Sequence, residues 1–164
     1  MKVTLIAAIT ADGFIGRNKG HVSTAWTSKD DKIFFSSTTK KIGTVIMGST
    51  TYETFNMPLK DRRHIVLSRT KTYEGVETTS EDPKTLLGRL ESEGVQEVAL
   101  CGGASIYATF LEQGLVDKVY LTVEGILFGE GISLLSKEME IKMRLASSTT
   151  LGENTVLLEY EILK

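Results

Sequence analysis

Short apolar runs recur along the chain between polar, glycine-punctuated segments: Val3 to Ile9, Thr44 to Met47, His64 to Leu67, Val98 to Cys101, Lys118 to Val123 and Thr155 to Ile162. Each has the length of a strand, and runs apolar at consecutive positions fit strands buried on both faces. Several of the intervening stretches carry helix signals. Ser28 followed by Asp31 is a capping box, after which Phe34, Phe35 and Thr38 follow at helical spacing to about Lys40. Asp82-Pro83 opens a second helix, with Leu86, Leu87 and Leu90 as its buried stripe and Gly94 at its end. A third starts near Ala104 and carries Ile106, Tyr107, Phe110 and Leu111 as far as Gly114. Alternation of strands and helices over the first two thirds predicts an α/β fold with a mostly parallel sheet. The end of the chain differs. Ile141 to Thr149 and Thr155 to Ile162 flank Gly152-Glu153-Asn154, a hairpin signal that puts antiparallel strands at one edge.

Composition narrows the function classes. The 164 residues are 41% hydrophobic, enough for a substantial core, and no repeat or linker divides them, so residues 1–164 read as one domain. With 19 basic and 21 acidic residues the net charge is -2, which argues against nucleic-acid binding through a basic surface. The one cysteine, Cys101, excludes an intramolecular disulfide and fits a reducing cytoplasm. No apolar run approaches the roughly 20 residues of a membrane span, and the first run is too short for a secretory signal. Two scattered histidines, His21 and His64, give no metal-ligand spacing, so no metal is expected.

Two strand–glycine junctions are candidate ligand sites. Val45-Ile46-Met47 runs into Gly48-Ser49-Thr50-Thr51, and Val98-Ala99-Leu100-Cys101 runs into Gly102-Gly103-Ala104-Ser105 and then a helix. Glycine lets backbone approach a ligand, and a helix N-terminus offers free N–H groups to phosphate. Together the junctions suggest a dinucleotide; separately, each is equally a strand-ending turn. Asp31, beside Phe34 and Phe35 on a helix, is either a capping acid or a desolvated functional acid whose proton affinity burial would raise. Arg62 and Arg63, before a strand, are either a solvated pair or a fork for carboxylate or phosphate. The polar stretch from Ala11 to Ala25, with Arg17 and Lys19, has the length of a lid.

In order and spacing, these segments resemble the dihydrofolate reductase superfamily over nearly the whole chain. The matching stretches are Leu5 to Ile9 with Asp12-Gly13-Phe14-Ile15-Gly16, Trp26 with Asp31 to Phe35 and Thr39, Val45 to Glu53, Pro58-Leu59 with Arg62 and Ile65 to Arg69, Gly102 to Tyr107, and Val119 to Thr122. The resemblance implies a three-layer fold with helices on both faces of the sheet. It also implies hydride transfer from NADPH to dihydrofolate, with protonation of N5. Carried over by position, Asp31 holds the amino-pyrimidine edge of the pteridine and Thr122 braces Asp31. Phe35 and Trp26 contact the substrate, and Arg62 takes its α-carboxylate. Ala8 and Cys101 floor the site near the nicotinamide, which Ile15 and Gly16 flank. The cofactor phosphates fall to Gly102, Gly103, Ala104, Ser105, Ile106 and Tyr107. Gly48, Ser49, Thr50 and Thr51 lie opposite them, and Leu67, Ser68 and Arg69 lie at the adenosine end.

The chain also departs from that pattern. Ser49 stands where the family usually has a basic residue for the 2′-phosphate, a charge that Arg69 could supply instead. Val22 to Thr24 look inserted, and Asp61 replaces a common turn glycine. Asp12 to Ile15, Trp26-Thr27-Ser28, Gly114 to Asp117 and Leu127 to Gly131 also resemble the reductase domain of riboflavin synthesis, which reduces a ribosylated aminopyrimidine. Dihydrofolate is the favoured expectation because Asp31, the phenylalanine pair and Arg62 all coincide. A non-catalytic nucleotide-binding module is the alternative of another class. The favoured reading implies a cytoplasmic monomer acting on a small molecule. The riboflavin reading would allow a dimer through the last strands.

Overall fold

A computed structural model describes the whole chain, residues 1–164. Eight strands form one sheet. In chain order they are β1 (Lys2–Thr10), β3 (Thr44–Gly48), β4 (Arg63–Leu67), β5 (Glu77–Thr79), β6 (Glu97–Leu100), β7 (Lys118–Glu124), β9 (Met143–Gly152) and β10 (Thr155–Ile162). A separate two-stranded ribbon pairs β2 (Phe14–Gly16) with β8 (Ile132–Ser133). The large sheet has the order β5-β4-β3-β6-β1-β7-β10-β9. From β5 to β7 every pairing is parallel, while β10 is antiparallel to both of its neighbours. The expected mostly parallel sheet and its C-terminal hairpin are both present. β3 is fully buried along its length, which explains its unbroken apolar sequence.

Four helices cross the sheet: α1 (Lys29–Ile42), α2 (Ser49–Phe55), α3 (Pro83–Ser92) and α4 (Ala104–Glu112). The predicted caps are in place. Ser28 Oγ accepts from the Asp31 backbone N–H at 3.1 Å, Gly43 closes α1 at φ 86°, and the Asp82 carboxylate accepts from Lys84 N–H at 3.0 Å. Leu86, Leu87 and Leu90 of α3 are buried with Phe110 and Leu111 of α4 against Val3, Leu5 and Ile65. The inward face of α1 differs by one position from the expectation. Thr39 is buried and Thr38 is not, because Asp31, Phe35 and Thr39 follow the i, i+4, i+8 row. β5 and the β2–β8 ribbon add to the expected strands; a polar Glu-Thr-Thr edge strand and strands of three and two residues carry no hydrophobic period.

His64 on β4 is a polar residue inside the core, 4% exposed. Its Nδ1 accepts from Leu59 N–H at 3.3 Å, which puts the ring proton on Nε2, where no partner lies. Tyr52 packs edge-on at 5.2 Å. Burial, with a smaller push from the Arg62 charge, takes its pKa down to about 4 from 6.5. The unfolded chain therefore binds the extra proton first. The stability present above pH 6.5 is lost as pH falls from there towards 4, by on the order of 3 kcal/mol at most. Thermal midpoints measured between pH 7 and 4.5 should fall more steeply for the wild type than for His64→Gln. Parallel curves would show that His64 is not buried in its neutral form.

Candidate active site

The cleft opens where β1, β3 and β6 end. Cys101 N–H donates to Ile46 O and Gly48 N–H donates to Gly102 O, each at 2.8 Å. The ladder between β3 and β6 thus continues to their glycines, and the two strand-to-helix turns lie side by side. The Gly102–Gly103 peptide is cis. The cavity measures about 1460 Å³. Its floor includes Ile6, Ala7, Ala8 and Cys101. One wall is α1, through Asp31, Lys32, Phe35 and Ser36, with Arg62 and Leu59 at its far end. Facing it are Gly48 to Thr51, Leu67 to Arg69 and Gly102 to Tyr107, and Ile15, Gly16 and Lys19 form part of the rim.

The glycine side is shaped as a cradle. A Cβ at Gly48 would come within 2.9 Å of Ile106 Cγ1, and one at Gly103 within 3.1 Å of Thr51 Oγ1. Gly102 has φ 114°, and a Cβ there would lie 3.2 Å from the Tyr107 hydroxyl. The caps of α2 and α4 are Gly48 and Gly103, neither supplying a side-chain acceptor, so the first N–H groups of both helices remain available at the cleft. Lys19, Lys32, Arg62 and Arg69 line the cavity, against the acids Asp31 and Glu81. Glu81 is already paired with Arg89 at 2.7 Å. The surplus of positive charge and the paired helix N-termini fit a nicotinamide dinucleotide.

Asp31 sits between the two halves and is 9% exposed. Burial is the main cause that pushes its pKa above the usual carboxylate range, and the nearby Glu124 charge adds to it. The hydroxyls of Thr122 and Thr27 and the Lys32 ammonium pull the other way. Both Oγ1 atoms are buried, and the Asp31 carboxyl is the acceptor beside them.

Arg62 is aimed by its own neighbours. Its Nε donates to Lys60 O at 2.8 Å and Nη1 to Thr39 Oγ1 at 2.7 Å, while Thr39 Oγ1 donates to Phe35 O at 2.7 Å. Nη2 makes no bond within the protein, which leaves part of the fork for a ligand. Burial pushes the Cys101 thiol up to about 12, with the Arg62 charge opposing, so Cys101 stays protonated and serves as a wall. Tyr107 donates from its hydroxyl to Ile6 O at 2.7 Å and ties α4 to β1.

Thr122, expected to brace Asp31, is 1% exposed and sits behind it. Of the residues expected at the cleft surface, one lies elsewhere. Trp26 turns away altogether: its indole packs edge-on against Phe128 at 5.2 Å and lines a separate cavity of about 290 Å³ beside Glu124 and Asn154. The cause is tertiary. The segment that includes Arg17, His21 and a short 3-10 turn at Ser23–Ala25 is gathered onto Phe128, whose ring lies 5.8 Å from that of His21 and carries the Arg17 guanidinium at 4.1 Å. Phe128 is fixed in turn by Asp12, whose carboxylate accepts from Phe128 N–H at 3.1 Å and Gly129 N–H at 2.7 Å. Lys32, Ser36 and Glu81 line the cleft unforeseen. The first two carried a signal, being one and five residues beyond Asp31 on the same helix.

A sequence profile of the family described as dihydrofolate reductase matches residues 2–127. The dihydrofolate reductase of Neisseria meningitidis serogroup A is 34% identical over 156 residues, covering 90% of this chain and 91% of that protein. Among solved structures, a putative riboflavin biosynthesis protein from Shewanella sp. PV-4 superposes with a TM-score of 0.85 at 20% identity, over 100% of both chains. Dihydrofolate reductase from Enterococcus faecalis, complexed with NADP(H) and RAB-propyl, superposes with a TM-score of 0.75 at 19% identity, over 99% of this chain and 97% of that one. At those identities the structures establish a shared fold and nothing finer.

Proposed function

We infer the reaction from one premise: the chain belongs to the dihydrofolate reductase family. It is a reductase that reduces 7,8-dihydrofolate to 5,6,7,8-tetrahydrofolate. Bound NADPH supplies the hydride. The observation that carries this reading is the Asp31 carboxyl, buried beside an apolar floor and open to the cleft. In that low-dielectric setting the carboxylate pairs with the amino-pyrimidine edge of a pterin and favours its protonated form, so N5 gains its proton as C6 gains hydride. Thr122 braces the acid, directly or through water. Phe35 and Leu59 clasp the aromatic middle of the substrate, and Arg62 takes the α-carboxylate. Gly102 to Tyr107, with Gly48 to Thr51, hold the pyrophosphate. Ile15 and Gly16 close over the nicotinamide, and Leu67 to Arg69 meet the adenosine end. Residues 1–164 act as one domain, as a cytoplasmic monomer.

Lys32 favours a second reading. It lines the substrate half beside Asp31 and forms no ion pair, so with Arg62 it gives that half two free cations. Such a pair suits a phosphorylated ribosyl substrate, as in the riboflavin-pathway reductases.

Steady-state loss of the NADPH absorbance separates the two. Under the favoured reading dihydrofolate is turned over and the ribosylated aminopyrimidine is not. Arg62→Leu then raises KM for dihydrofolate by roughly 10- to 100-fold with kcat little changed, the loss of a charge-assisted contact made equally in ground and transition states. Turnover of the pyrimidine alone, with KM most sensitive to Lys32→Met, would establish the second reading instead.

A further inference from the structure

Behind the first turn of α1 a second carboxylate is buried. Glu124, the last residue of β7, is 5% exposed and has no ion-pair partner. Its Oε1 accepts from both Ser28 N–H and Ser28 Oγ at 2.9 Å, and its Oε2 accepts from Thr155 Oγ1 at 2.9 Å. Ser28 Oγ also accepts from the Asp31 backbone N–H at 3.1 Å, so one serine bridges the two acids. As N-cap, Ser28 needs no charged residue beneath it. An amide at position 124 would still accept both hydrogen bonds from Ser28 through its one oxygen, without the cost of burying a charge that lacks a cation. The charge itself is the feature that capping leaves unexplained.

We propose that Glu124 is a positioning residue for Asp31: bonded to the Ser28 N–H and hydroxyl, it fixes the first turn of α1 and sets a buried carboxylate behind the acid of the cleft. A carboxylate there disfavours a second negative charge on Asp31. The proposal rests on Asp31 being the acid of the cleft. The groups facing Asp31 can be taken element by element. On α1, Lys32 opposes the effect, and Asp30 lies against Gly152 of the hairpin, further toward solvent. Thr27, before α1, and Thr122, on β7, offer neutral hydroxyls. Tyr107 on α4 and Cys101 after β6 are held neutral by burial. Thr155 on β10 touches Glu124, not Asp31. Glu124 is thus the one buried anion in the neighbourhood, and it needs no substrate to act.

The test is a carboxyl-carbon NMR titration of protein labelled in Asp and Glu, with the Asp31 resonance assigned by its loss in Asp31→Asn. In the wild type the Asp31 resonance should titrate above the usual carboxylate range. In E124Q the Asp31 midpoint should move down by about 0.5 to 1 pH unit, as expected for removing a nearby like charge. The high-pH limb of kcat/KM should move with it, costing roughly three- to tenfold in rate above that limb. E124D should return the midpoint towards the wild-type value. A wild-type Asp31 midpoint within the usual carboxylate range, or an unmoved Asp31 midpoint in a folded E124Q, overturns the proposal. The wild-type titration needs no variant to fold. It also needs no substrate, so a failure of the folate reading, seen as absent turnover, stays distinct from a failure here.

Discussion

Asp31→Asn should lower kcat/KM for dihydrofolate by roughly 10²- to 10⁴-fold, the range for losing a positioned acid or base, while the dissociation constant for NADPH stays within about twofold of wild type. Asparagine keeps the shape of the side chain and its place behind Ser28, but it can neither hold a counter-charge to a cationic pterin nor take part in proton balance. The same variant should be more stable. The native Asp31 pKa is raised, chiefly by burial, so the sign runs opposite to that of a paired surface acid. The carboxyl costs nothing below its unfolded pKa near 3.8 and its full penalty above the native pKa. At neutral pH the variant should therefore be the more stable, seen as a higher Tm, and the gain should vanish towards about pH 3.5. Near-complete loss of turnover together with a rise in Tm is the pattern of a destabilised functional acid. Loss of both activity and stability would mark Asp31 as a capping residue only.

The second large effect concerns the glycine pair. Gly102→Ala places a side chain at φ 114°, a region that costs residues other than glycine on the order of 1–3 kcal/mol. It also brings a Cβ to 3.2 Å from the Tyr107 hydroxyl, which holds Ile6 O at 2.7 Å. The floor of the cofactor half must shift, and affinity for NADPH should fall by at least about tenfold, roughly 1.4 kcal/mol. Gly114→Ala is the control. That glycine has φ 66°, a Cβ added there would meet nothing within 4 Å, and it lies at the far end of α4. It should lose about 1 kcal/mol of stability and keep cofactor affinity. Calorimetric titration of NADPH into both variants checks this. Equal affinities would remove the glycine pair from the cofactor site.

The sequence made the strands legible because most of this sheet is parallel and covered on both faces. β3 is 0 to 6% exposed at Thr44, Val45, Ile46 and Met47, and so reads as an uninterrupted apolar run. The caps of α1 and α3 were legible because Ser28 and Asp82 act on backbone two or three residues away. Features that depend on partners distant in sequence were hidden. The resemblance puts Trp26 at the cleft, but its orientation is decided by Phe128, which no local pattern links to it. Glu124 carried only the weak signal of an acid closing an apolar strand. Its importance comes from Ser28, 96 positions earlier. The edge strand β5 shows no hydrophobic period because its three residues, Glu77 to Thr79, are only half-buried.

The account is tested most directly by a single turnover of dihydrofolate with NADPH deuterated at the transferring position, followed in the wild type and in Asp31→Asn. The result predicted is deuterium at C6 of tetrahydrofolate in the wild type and a rate at least about 10² slower in the variant. Saturable NADPH binding with no deuterium transfer, or equal transfer by both proteins, would contradict it.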